Sequence, residues 1–247
     1  MSRAATRLAG WARLARAARF TGLARSARIA RFAGFAPRAW LLAAALAASG
    51  CGSNDALPPD VSAEDAIRLG WEAFEEGSFA RAETFFLAAL RAESRSAEAR
   101  HGLGWSLAYL GDLDGAAASL EAALALAPGD VDALAGLAAV ENARGAWESA
   151  IELARAALAA DASWAFAHHE GVDAEDLHLI VAQASVLIGP TWYADAQAEV
   201  DLLDPANGLD PSNASTWVVA GETHETYREA LFAAIEVIER RVGAALP

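Results

Sequence analysis

The sequence predicts an all-α fold: a solenoid of stacked helical hairpins, closed by a C-terminal capping helix and leaving room for a few short β-strands. Three observations predict it. Small residues recur at a spacing of 34, large apolar residues keep the same register, and capping and turn residues punctuate the chain at helix-length intervals.

The register starts with Gly70, Gly104 and Ala138. Gly77, Gly111 and Gly145 follow it, as do Ala82, Ala116 and Ala150, then Ala89, Ala123 and Ala157. Leu69, Leu103 and Leu137 share it, with Phe79, Leu113 and Trp147, and with Leu90, Leu124 and Leu158. A small residue in the first helix and another early in the second let the two approach closely. A glycine between them permits the left-handed turn. Pro128 closes the second copy. The pattern resembles the tetratricopeptide-repeat (TPR) consensus in its small, glycine and Ala-Leu positions, over residues 63–164.

A fourth, divergent copy is expected once an insertion near residues 165–174 is allowed. Ala182, Gly189 and Ala194 keep the internal spacing of Gly70, Gly77 and Ala82, and Asp201 stands where the other copies have Ala. Asp173 with Asp176 signals a fresh helix start, Gly189-Pro190 ends that helix, Thr191 starts the next, and Asp204-Pro205 stops it. Upstream, Ser62 begins a capping box, and Ser78 and Asp112 are candidate caps of second helices. Thr226-Tyr227-Arg228-Glu229 opens the last helix, with Arg240 and Arg241 placed to suit its C-terminal dipole. The repeat domain is thus 62–205 and the cap 206–247. Two stretches read as strand: Trp164 to His168, which alternates large and small, and Thr216 to Val219. They are expected to pair with each other or with Thr223-His224.

Residues 1–50 read as an export segment. They hold nine arginines and no acidic residue, against ten arginines and all 33 acids after Cys51; the chain has no lysine. Arg38 precedes the apolar run Ala39 to Ala48, too short to span a bilayer, and small residues lead to Cys51. Ala48-Ser49-Gly50-Cys51 resembles a bacterial lipobox. The resemblance implies that Cys51 is lipidated and that 51–61 is a flexible tether. The Arg-rich stretch before Arg38 has three readings: a start placed too far upstream, a long n-region, or a transit peptide or basic surface helix.

The acidic body disfavours nucleic acid and anionic lipid as ligands. No nucleophile-elbow, phosphate-loop, CxxC or HExxH pattern occurs, so no enzymatic activity and no cofactor are expected. One polar cluster, His168, His169, Asp173 and His178, mixes imidazoles and carboxylates, the ligand types of a metal site. The simpler reading is a solvated loop whose acids cap the next helix. A small-ligand or metal-binding protein using residues 165–178 is therefore an alternative function.

The TPR resemblance implies a concave face lined by first-helix side chains. It places Trp71 and Trp105 at equivalent positions there, with Phe74, His101, Tyr109 and Asn142 nearby. Such aromatics suit capture of a peptide or helix, or serve packing between helices. The TPR type that clamps a terminal carboxylate uses Lys, Arg and Asn where this chain has Ile67, Trp71, Trp105 and Asp132, so a neutral or basic partner is expected. Signal plus repeat together resemble the TPR lipoproteins of bacterial envelopes. That implies a lipid-anchored protein on the periplasmic side of a membrane, with the membrane held through the N-terminal lipid.

Overall fold

The computed structural model describes residues 61–244, with side chains through Val242. The export segment, Cys51 and most of the tether lie outside the described residues. Helices α1 (Ala63–Glu75), α2 (Phe79–Ala92), α3 (Ala97–Leu110), α4 (Leu113–Leu126), α5 (Val131–Arg144) and α6 (Trp147–Ala160) form three hairpins. A fourth joins α7 (Ala174–Ile188) to α8 (Tyr193–Leu203), and α9 (Tyr227–Ala244) follows. Each hairpin's second helix packs on the first helix of the next, and α1, α3, α5 and α7 are neighbours in one layer. The expected all-α hairpin stack is borne out. Among the described residues no helix is long and apolar enough to cross a membrane.

Glycines set the helix spacing. Phe86 of α2, midway in sequence between Gly70 and Gly102, presses its ring against both; a Cβ would stand 2.7 Å from it at Gly70 and 2.4 Å at Gly102. Leu120 of α4 repeats this between Gly104 (2.5 Å) and Gly136 (3.2 Å). In these two second helices one large side chain thus locks its own hairpin to the next, an interdigitation that a missing Cβ allows.

The first three turns share one geometry, with φ of 76°, 88° and 81° at Gly77, Gly111 and Gly145. Gly189 differs, at φ 136° and ψ −166°, because Pro190 bars a helical conformation in the residue before it. A single 3₁₀ turn, Pro190–Trp192, then leads into α8, so that helix starts at Tyr193 rather than at Thr191. Ser62 accepts from Asp65 N at 3.1 Å and Asp112 from Gly115 N at 3.0 Å. Ser78 makes no such bond.

Helix α9 covers the end of the stack, burying Leu231, Ile235 and Ile238 with Leu179 and Val186 of α7 and Val200 of α8. Thr226 and Glu229 form its capping box, each accepting the other's backbone N–H at 3.2 Å. Arg241 serves α8 more than its own helix: it donates to Leu203 O and lies 3.6 Å from Asp204. Strands β1 (Val218–Val219) and β2 (Glu222–Thr223) pair antiparallel around Ala220-Gly221. The stretch beginning at Trp164 does not join them. Its only ladder contact among the described residues is a bridge from Ala165 to Asp173 within its own loop.

Candidate functional site

The layer of α1, α3, α5 and α7 presents a row of aromatic side chains, and the chain itself lies over it. Trp71, Phe74, His101, Trp105 and Asn142 are buried, and Tyr109 is half-buried. What covers them is the insertion, which leaves α6 at Asp161 and returns at the α7 cap, Asp173. Phe166 stacks on Trp105 with centroids 4.4 Å apart and planes 18° from parallel. It meets Trp71 and Phe74 edge-on at 6.0 and 5.9 Å. His168 lies flat on Trp71, and His169 stacks on Tyr109 at 5.4 Å. These offset and edge-to-face arrangements are the ones the ring quadrupoles favour.

The indoles also find polar partners in register. Trp71 Nε1 donates to Glu98 Oε1 at 3.3 Å, and one repeat on Trp105 Nε1 donates to the Asp132 carbonyl at 3.0 Å. The third copy has Ala139 at this position. A third indole comes from the insertion: Trp164 Nε1 donates to Asp132 Oδ1 at 2.7 Å, on the residue whose carbonyl Trp105 already uses. His101 Nδ1 donates to Asp130 Oδ2 at 2.9 Å, and Asp130 also caps α5 by accepting from Ala133 N at 3.1 Å. Burial pushes the Asp130 carboxyl up, but His101 and the two backbone N–H groups outweigh it and hold it below the usual carboxylate value. Asn142 Nδ2 donates to Gln183 Oε1 at 3.3 Å, joining α5 to α7.

The four residues offered as metal ligands are not gathered. His168 Nδ1 pairs with Glu75 Oε1 at 2.9 Å, and His178 Nδ1 with Glu199 Oε2 at 2.7 Å across α7 and α8. His169 bonds the Glu170 carbonyl and Asp173 caps α7, accepting from Glu175 N at 2.8 Å. Among the described residues no cluster of three or more His, Cys, Asp or Glu could hold a metal ion. Proximity in sequence failed as a guide because a helix start, Ala174, separates His178 from the loop and turns it toward α8.

Reading the residues singly placed Trp71 and Trp105 on one face but missed Trp164 and Phe166, which complete it. The available signal was a large-small alternation in an insertion directly after the third repeat, which has Ala139 where the first two have Trp.

A tetratricopeptide-repeat family model matches residues 67–130 and 101–163. Among solved structures the chain is similar to MamA of Desulfovibrio magneticus RS-1, at 18% identity over 72% of this chain and 76% of that one, TM-score 0.46. It is similar to a tetratricopeptide repeat protein of Parabacteroides merdae, at 16% identity over 72% and 60%, TM-score 0.48. A TPR protein of Thermus thermophilus aligns at 19% identity over 74% and 98%, TM-score 0.45. None of the curated proteins matches the sequence.

Proposed function

We propose, from the premise that this chain carries tetratricopeptide repeats, that it is a non-enzymatic scaffold that binds another protein or peptide in the bacterial cell envelope. Repeats of this family generally bind proteins, which supports that class of activity. The observation that carries the reading is the aromatic row on α1 and α3, edged by Glu75, Glu98 and, from α5, Asp132. A groove of that make-up takes a neutral or basic partner with apolar anchors, and its acidity argues against nucleic acid.

Envelope location rests on the apolar run before Cys51, and attachment on a lipid carried by that cysteine, the only one in the chain. Labelled palmitate should enter the wild type and not Cys51→Ser; equal labelling of both would remove the anchor. A photo-crosslinking amino acid at Glu75, on the groove edge, should capture a protein in intact cells, and one at Glu152 on α6 should not. If neither site captures a partner, the scaffold reading fails.

A further inference from the structure

The segment over the groove has the attributes of a bound peptide. The other links between hairpins are four residues long, Glu93–Ser96 and Ala127–Asp130, whereas Asp161–Asp173 is thirteen. The longer link leaves the stack undisturbed, since α6 still packs on α7 as α2 packs on α3. Its backbone hydrogen bonds among the described residues stay within its own span, as Phe166 N to the Val172 carbonyl at 2.8 Å, or reach only the adjoining ends of α6 and α7. What fastens it to the first two hairpins is side chains: Phe166 on Trp105, His168 on Trp71, and the bond of His168 to Glu75. Trp164 adds the bond to Asp132 on the third. Two aromatic anchors at alternate positions, followed at the next alternate position by a nitrogen donor on an acid, is a recognition pattern that sequence alone can carry.

We propose that residues 164–168 are a built-in occupant of the groove, and that its external partner is an extended peptide of the same chemistry, aromatic-x-aromatic-x-basic, which binds by displacing them. The inference rests on the scaffold reading above and adds the partner's chemistry and the control of its entry. A tethered occupant competes at the high effective concentration that a short linker imposes. The groove therefore shows an external peptide only the fraction of molecules whose segment is out, and apparent affinity falls by that fraction. Alternation matters because the stretch from Trp164 to Phe166 turns both rings to the same face, and the turn that follows at residues 167–168 brings His168 onto Trp71.

The probe is a fluorescent peptide of the chain's own residues 162–171, Ala-Ser-Trp-Ala-Phe-Ala-His-His-Glu-Gly. Three full-length proteins are titrated: wild type, an excised form in which Ala-Pro-Gly-Asp replaces Asp161–Asp173, and Trp164→Ala/Phe166→Ala. Both altered proteins should bind the peptide at least tenfold more tightly than wild type. A peptide with Ala in place of Trp and Phe should not bind, and one with Glu in place of its first His should bind more weakly. If a folded altered protein binds no more tightly than wild type, the proposal is overturned. If the excised form does not fold, the double variant decides; if neither folds, the segment is core and the proposal falls. Wild type that dimerises at assay concentration, with the excised form monomeric, would assign the trans occupant to a second copy and overturn the separate partner. Capture from Glu75 in cells without peptide binding would sink this inference and leave the scaffold reading standing. Peptide binding without capture would do the reverse.

Discussion

His168, from the insertion, lies flat on Trp71 of the first hairpin, with centroids 3.8 Å apart and planes 3° from parallel. The same imidazole reaches Glu75, one turn further along α1. The link from the third hairpin thereby touches the first. A double-mutant cycle of Trp71→Ala and His168→Ala, read by urea unfolding, should give a coupling of about 0.5–1.5 kcal/mol beyond the area each ring buries. Zero coupling would mean the segment does not rest there in solution.

A Cβ at Gly102 would stand 2.4 Å from the Phe86 ring. Gly102→Ala should cost about 2–3 kcal/mol by overpacking. Adding Phe86→Leu should recover part of that loss, because the clash lies with that ring. Gly111→Ala should cost about 1–2 kcal/mol for a different reason, the left-handed φ of 88° that a Cβ opposes. Phe86→Leu should not rescue it. Chemical unfolding of the four variants separates the two mechanisms.

Asp176 gives the stack a pH dependence. Burial first, then the carboxylates of Asp173, Glu175 and, from α9, Glu239, push its carboxyl up to about 7 against the backbone N–H of Asp173. Below the unfolded value, 3.8, both states hold the proton and the group has no effect. Between that and about 7 the folded state alone keeps it, so this group's contribution to stability falls as pH rises and levels off above about 7. Asp176→Asn keeps an acceptor for Asp173 N without the charge. It should raise the melting temperature at about pH 8 and flatten the melting curve series between about pH 5 and 8. A variant as pH-sensitive as wild type would place the dependence elsewhere.

The β1–β2 turn holds Ala220 at φ 52°, next to Gly221 at 84°. Two successive positive φ values suit Asn-Gly, and Ala is strained there. Ala220→Asn should stabilise the protein by up to about 1 kcal/mol, seen as a higher melting temperature with the helical circular dichroism unchanged.

The hairpin stack was legible in the sequence because each registered small residue answers a fixed helix-to-helix distance, and such distances recur with every copy. Phe86 and Leu120 wedge between glycines for the same reason. The course of the insertion was not legible. Phe166 and Trp105 meet through ring stacking, which leaves no periodic trace, and the alternation from Trp164 to His168 is shared by strands and by any extended segment. The histidine cluster misled in the same way: His168 and His178 belong to different elements, each paired with an acid far off in sequence.

Ala139 occupies the register position of Trp71 and Trp105 and is buried in the same core as Trp164 and Phe166. Trp164 and Phe166 come from the insertion, so deleting it would bare the rings of Trp71 and Trp105 to water and give the stack an adhesive face in place of a loop.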